Sequence, residues 1–321
     1  MRAVLIVNPT ATSTTPAGRD LLAHALKSRL DLSIVHTDYR GHATEIGQAA
    51  AADGVDLVIA HGGDGTVHGV VNGLLGPTGT LPSGHVPAVA VVPGGSANVF
   101  ARSLGIPADP VAATNQLIDL INGYGREHTW RRIGLIDCGE RWSVLNAGMG
   151  LDGEVVAAVE AEREKGRSVN ALRYIRTAVR TVLAATRRPP TLTLQCNDGE
   201  PVPGVHFVFV SNTSPWTYSN SRPVWTNPDC TFETGLGVFA TTSLKTLRTA
   251  RLVRQMTSKR PKLQAKQLIR DDDVDLVRVD AGDTPIATQI DGDYVGLHSQ
   301  MTFRSVPDAL NVVAPPRANP A

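Results

Sequence analysis

The sequence predicts an α/β N-terminal domain built on a doubly wound, mostly parallel sheet, followed by a β-sandwich-like C-terminal domain. Three observations predict it. Over the first 125 residues, short β-branched runs alternate with Ala- and Leu-rich stretches, the pattern of parallel strands joined by crossover helices. Beyond about Trp130 the texture changes to closely spaced strand signals with hairpin turns. The 321 residues, 42% of them hydrophobic and 19% charged, suffice for two cores of ordinary domain size.

In order along the chain, strands are expected at 4–7, 33–37, 57–61 and 89–92, because each is a short apolar run closed by glycine, proline or polar residues. Helices are expected near 18–30, 43–53, 67–75 and 97–104. Later strands are read at 143–146, 192–196, 205–210 and in the run 288–297, with Asn197-Asp198-Gly199 as a hairpin turn between the second and third of these. Helical insertions are expected around 153–186 and 244–255. The resulting organisation is a nucleotide-binding domain at 1–128, a β-rich substrate domain at 129–301, a return of 302–313 to the first domain, and a Pro-rich tail at 314–321.

Composition removes several classes. The strongly apolar runs, such as 88–92 and 207–210, fall far short of the roughly 20 residues that span a bilayer. The opening run 1–9 reads as a buried strand rather than a signal peptide, so a cytoplasmic location is expected. Cys138, Cys196 and Cys230 form neither an even disulfide framework nor a C-x-x-C pair and read as small hydrophobes. With 31 basic against 30 acidic residues, the formal charge of +1 gives no footprint for nucleic acid.

The strongest chemical signal is His61-Gly62-Gly63-Asp64-Gly65-Thr66, between a buried strand and a helix. Glycines there let backbone N–H groups approach an anion, and the helix N-terminus adds its positive dipole end. Asp64 would repel bare phosphate, so its carboxylate fits a magnesium ion or a proton to accept; the plainer alternative is a helix cap. A second turn of the same type, Pro93-Gly94-Gly95-Ser96-Ala97-Asn98, also follows a strand, with Ser96 and Asn98 as natural cap residues. Both turns belong at the carboxyl edge of one sheet, where open α/β folds bind ligands.

Other signals are weaker. Gly148-Met149-Gly150-Leu151-Asp152-Gly153 matches G-x-G-x-x-G, but the parallel sheet precedes it and no strand with an acidic end follows about 20 residues on, so a dinucleotide fold is rejected. No G-x-x-x-x-G-K-[ST] loop, protein-kinase motif set or G-x-S-x-G elbow occurs. Residues 243–270 carry nine basic and no acidic side chains, and Arg173, Arg176 and Arg180 form a second stripe. Each is a candidate face for an anionic membrane, with a solvated helix face as the alternative. His68 and His42 are read as structural or peripheral contacts.

Taken together, these motifs resemble the diacylglycerol kinase catalytic family of lipid kinases, which is related to sphingosine and ceramide kinases and more distantly to NAD kinases. The resemblance rests on Asn8-Pro9, Thr37 with Gly41-His42-Ala43, Gly62-Gly63-Asp64-Gly65-Thr66 with Val70-Val71-Asn72-Gly73-Leu74, and Gly94-Gly95-Ser96-Ala97-Asn98 with Ala101-Arg102. It continues through Gly148-Met149-Gly150-Leu151-Asp152 and Asp291-Gly292-Asp293. It implies an ATP- and magnesium-dependent lipid kinase that phosphorylates a hydroxyl of diacylglycerol or a related lipid. In that scheme Asn8, Pro9, Thr10, Thr37, His42 and both glycine turns bind the nucleotide, and Asp64 and Asp291 lie near the metal. Asp293 is the general base and Asp152 contacts the substrate. Peripheral contact with the inner face of the membrane is expected, and a homodimer is left open. The chain departs from the family pattern at Gly69, where many relatives have glutamate, in the loop 10–15, at 212–216, and at 228–235, where Asp-Asp-Gly is usual. An NAD kinase-like enzyme and a non-catalytic nucleotide or lipid sensor are the competing readings.

Overall fold

In the computed structural model the described residues are 1–11, 15–127, 130–164, 181, 184, 186, 188–219, 222–259 and 261–316. The chain divides into two compact units. The first contains Met1–Leu135, Glu140–Val144 and the segment from Val306 onward; the second contains Ile136–Gly139 and Leu145–Ser305.

The first unit is built on four parallel strands, β1 (Arg2–Val7), β2 (Asp31–His36), β3 (Leu57–Gly62) and β4 (Ala88–Pro93), in the order β2-β1-β3-β4. All of β3 and β4 is buried, as expected of parallel strands covered on both faces. Their crossovers are α1 (Pro16–Lys27), α2 (His42–Ala52) and α3 (Asp64–Leu75), followed by α4 (Val99–Ser103) and α5 (Pro110–Glu127). Leu5, Ile59 and Ala90 meet Leu22 and Leu26 of α1 and Leu117 of α5 in one core.

Helices α2 and α3 pack through glycine. A Cβ on Gly73 would stand 2.2 Å from the Thr44 carbonyl oxygen, and one on Gly47 would stand 2.8 Å from that of Val70. Gly69 belongs to the same contact, because its Cβ would lie 3.0 Å from that of Ala43. The absent glutamate at 69 is thus matched by close helix packing. Helix α5 lies outside the sequence expectations. Its signal was present in Asp109-Pro110: the Asp109 Oδ1 accepts from the Ala112 N–H at 2.8 Å, and proline fits the first helical position.

β5 (Arg131–Asp137) and β6 (Trp142–Ser143) pair with each other. Asn72 clamps Trp142, accepting from its N–H and donating to its carbonyl, both at 2.9 Å, while the indole N–H reaches the Gly76 carbonyl at 3.0 Å.

In the second unit, β7 (Asn146–Gly150) leads into α6 (Leu151–Glu164). Then come β8 (Leu192–Cys196), β9 (Val202–Val205), β10 (Phe207–Ser211), β11 (Thr217–Ser219), β12 (Arg222–Val224), β13 (Leu236–Thr241) and α7 (Thr246–Met256). The chain continues through β14 (Leu268–Val274), β15 (Leu276–Asp280), β16 (Ile286–Ile290), β17 (Asp293–His298) and β18 (Gln300–Val312). An antiparallel sheet runs β14-β13-β10-β7-β16-β17, and β9-β8-β15 extends to the first half of β18. Met149, Val208, Val238 and Ile290 share a core with Leu194, Val277 and Phe303, as in a β-sandwich.

The run 205–210 is not one strand. Val205 ends β9 opposite Leu192, whereas Phe207 opens β10 opposite Gly150 and Thr241, so the chain changes sheets at His206. Strand β18 serves both units, with Gln300–Arg304 paired to β15 and Val312 paired to Val89. The basic stripe at Arg173, Arg176 and Arg180 lies outside the described residues. Among the described residues no helix is long and apolar enough to cross a membrane.

Candidate active site

The nucleotide candidates converge on one edge of the first unit. Asn8, Pro9 and Thr10 follow β1, Thr37 follows β2, Gly62 ends β3, and Gly94 to Asn98 follow β4. In a parallel sheet ordered β2-β1-β3-β4 the switch point falls between β1 and β3, and the carboxyl-edge crevice there is the expected ligand position. Asn8 bridges that point: its Oδ1 accepts from the Thr10 N–H at 3.0 Å and from the Thr10 hydroxyl at 2.7 Å, and its Nδ2 reaches the Thr66 hydroxyl at 3.4 Å. Thr37 is fixed by its N–H to the Val7 carbonyl at 2.9 Å.

The two glycine turns touch backbone to backbone. The Gly94 N–H donates to the Gly62 carbonyl at 2.8 Å, and a Cβ on Gly95 would stand 2.7 Å from the Gly63 Cα. Side chains are excluded there by contact, which explains the two glycine pairs without reference to φ. Asp64 opens α3 rather than lying in the loop before it. Its two oxygens accept from the Val99 and Phe100 N–H groups at 3.1 and 2.9 Å, so one turn's carboxylate caps the short helix of the other. Asn98 does not cap that helix. With φ +47 it turns back on Gly95, exchanging two side-chain hydrogen bonds of 2.9 and 2.8 Å, while Ser96 stays exposed.

In the second unit, Asp291 has φ +49 and its Oδ1 accepts from the Leu145 and Asn146 N–H groups, both at 2.9 Å. This holds the Asp291-Gly292-Asp293 turn against β7. Gln289, 1% exposed, joins the turn to α6: its Oε1 accepts from the Gly292 N–H at 2.8 Å, and its Nε2 donates to Asp152 at 2.6 Å. Burial pushes the Asp152 carboxyl up to about 6, with the Gln289 hydrogen bond opposing the rise. Perturbed acids of this kind cluster at functional sites.

Asp152 lines an apolar cavity of about 240 Å³ whose walls include Phe207, Phe209, Phe239, Leu252 and Met256. Phe209 and Trp216 meet edge to face at 5.5 Å beside it. A larger cleft of about 700 Å³, lined by Asp56, His85 and Arg132, opens at the amino edge of the parallel sheet, away from the glycine turns and without a perturbed acid.

Comparison with known proteins gives the same direction. Residues 2–123 match the family described as the diacylglycerol kinase catalytic domain. A diacylglycerol kinase of Bacillus subtilis strain 168 is 36% identical over 133 residues, 39% of this chain and 39% of its own length. One from Staphylococcus epidermidis is 33% identical over 126 residues, 37% and 36% of the two chains. The matched stretch thus spans about two fifths of the length of these curated relatives. The fold likeness is longer: a diacylglycerol kinase crystal structure from Bacillus anthracis superposes with a TM-score of 0.70 at 20% identity, covering 98% of this chain and 97% of the other.

Within the matched residues 2–123 lie Asn8, Pro9, Thr10, Thr37, His42, Asp64 and both glycine turns, whereas Asp152, Asp291 and Asp293 belong to the second unit. His68, one turn into α3, is 5% exposed. Gly148 and Gly150 lie in β7, antiparallel to β10, and not in a phosphate loop. Gln289 and the apolar cavity were missed by sequence reasoning. Gln289 sits two residues before the turn and carries no motif, and the cavity's walls are contributed by segments far apart in the chain.

The loop at 228–235 is closed by its own side chains. The Thr234 hydroxyl donates to backbone oxygen of the loop, and the Gly235 N–H donates to Asp273 at 2.6 Å. Asp272 pairs with Arg270 at 2.9 Å. Among the described residues no three His, Cys, Asp or Glu side chains form a metal cage. Magnesium carried on nucleotide phosphates needs only one or two protein carboxylates, and Asp64, at the N-terminus of α3 beside both glycine turns, is a carboxylate of the kind such an ion takes.

Proposed function

We propose that this protein is an ATP- and magnesium-dependent lipid kinase that phosphorylates a hydroxyl of diacylglycerol or a related lipid. The observation that carries the reading is the apolar cavity with the Asp152 carboxyl in its wall. A dinucleotide acceptor would need polar walls, whereas a lipid hydroxyl needs an apolar channel ending at a hydrogen-bond acceptor.

In this reading the β1 loop and the two glycine turns cradle the ATP phosphates through backbone N–H groups and the α3 N-terminus. Asp64 would hold magnesium together with the phosphates, and the ion would supply neutralisation of charge on the transferring group. Asp152 accepts the hydrogen bond of the acceptor hydroxyl and fixes its orientation, with Gln289 holding the carboxylate. The hydroxyl oxygen forms a bond to the γ-phosphorus as the bond from that phosphorus to the β,γ-bridging oxygen breaks. ADP leaves with the electron pair, and Asp293 receives the hydroxyl proton.

Helix α7 supports contact with an anionic bilayer. Leu252, Val253 and Met256 line the cavity, while Arg248, Arg251 and Arg254 are exposed and Leu247 is 87% exposed. An amphipathic basic helix with apolar side chains presented to solvent suits the lipid–water interface.

The test uses purified protein, magnesium, γ-labelled ATP, and detergent-dispersed diacylglycerol, monoacylglycerol, sphingoid base, ceramide or NAD in separate reactions. Label in one lipid, lost in Asp64→Asn and Asp293→Asn, is the expected result. Label in NAD alone would overturn the assignment, and ATP binding with no product in any arm would favour a sensor.

A further inference from the structure

We infer that the stacked rings of Tyr39 and His42 form the platform on which the nucleotide's base lies. The proposal rests on the ATP-dependent reading above and assigns the base-recognition end of that site. The two rings are parallel, with centroids 4.6 Å apart. Tyr39 is nevertheless 55% exposed, so His42 covers one face of its ring and the other face is open.

The pair is built and held. Gly41, with φ +96, bends the chain so that the His42 N–H bonds back to the Tyr39 carbonyl at 3.2 Å. The Tyr39 hydroxyl donates to Glu45 Oε2 at 2.6 Å, and His42 Nδ1 accepts from the Asp38 N–H at 3.1 Å. The Glu45 hydrogen bond raises the Tyr39 phenol above its ordinary value, keeping it protonated and donating. Ala43 and Thr44, immediately after the pair, are the residues that a Cβ on Gly69 would touch, so the platform is braced against the helix that begins at Asp64.

Position makes the open ring face useful. Thr37 is bonded to Val7, one residue before Asn8, and Tyr39 is two residues further on, at most about 7 Å along the chain. Tyr39 therefore follows the carboxyl end of β2, whose neighbour in the sheet is β1 with its Asn8–Thr10 loop. Phosphate loops recognise any polyphosphate; an open aromatic face there adds a surface for a planar base. Tyr and His serve such stacking well, because every base has a π-face.

The test compares ATP with inorganic tripolyphosphate, both with magnesium, by titration calorimetry on the full chain. Tyr39→Ala is expected to weaken ATP binding about 5- to 100-fold, from typical base-stacking strengths, and to leave tripolyphosphate binding unchanged. Tyr39→Phe should restore most of the ATP affinity. Equal loss for both ligands would mean that Tyr39 only shapes the loop, and unchanged ATP affinity in Tyr39→Ala would sink the platform while leaving the kinase reading intact. A wild-type chain that binds tripolyphosphate but not ATP more tightly would also overturn it, and one that binds neither would bring down the kinase reading as well.

Discussion

Replacing Asp152 by asparagine should stabilise the second unit at neutral pH while removing phosphoryl transfer. Burial raises its carboxyl from the ordinary 3.8 to about 6. Below pH 3.8 the group is protonated in folded and unfolded chains alike, and it affects neither. Between 3.8 and 6 the folded chain holds more proton than the unfolded one, so stability falls as pH rises, and above 6 the full penalty applies. At about 1.4 kcal/mol per tenfold, the rise sets an upper bound of about 3 kcal/mol. The residue keeps partial exposure through the cavity, which screens the charge and brings the expected gain to about 1–2 kcal/mol. Asparagine retains an oxygen to accept from Gln289. Thermal unfolding of the variant against wild type should show an upward shift of about 2–8 °C at pH 8 and almost none at pH 4. A gain of the same size at both pH values, or a loss at pH 8, would refute the claim that Asp152 is held at a cost to the fold.

Other outcomes follow from the same geometry. Asp64→Asn places an NH₂ group against the Val99 or Phe100 N–H, so it should cost about 1–3 kcal/mol and loosen the second glycine turn; differential melting with and without ATP reads both effects. Gly73→Ala should destabilise the first unit by about 1–3 kcal/mol, since its Cβ would meet the Thr44 carbonyl at 2.2 Å; urea unfolding measures it. Val253→Trp, at a half-exposed position in the cavity wall, should raise the apparent KM for lipid while ATP affinity stays at the wild-type value. Arg248→Glu with Arg251→Glu should reduce binding to anionic vesicles at low salt by at least about 2 kcal/mol, with zwitterionic vesicles unaffected.

The glycine turns were legible because their chemistry is local: adjacent small residues at a strand-to-helix junction announce a backbone approach. Their partner was not. That Gly63 and Gly95 touch, and that Asp64 caps Val99 and Phe100 rather than its own helix, depends on β3 and β4 being neighbours in the sheet. Asn98 shows the limit of a propensity argument, for its residue type suits a cap but its left-handed backbone turns the side chain to Gly95. The strand expected at 205–210 broke at His206 because alternating hydrophobicity does not reveal which of two sheets each half will join.

The sequence alone determined the α/β beginning, the β-rich second half and the positions of the motifs, since period, turn residues and glycine pairs act over a few residues. Tertiary structure decided what those motifs touch. It set Gln289 between Asp152 and the Gly292 turn, left one face of Tyr39 open, and enclosed an apolar cavity from β10, β13, α6 and α7. Cavities and raised carboxyl pKa values arise from the removal of water by residues far apart in the chain, and no short stretch of sequence contains that information.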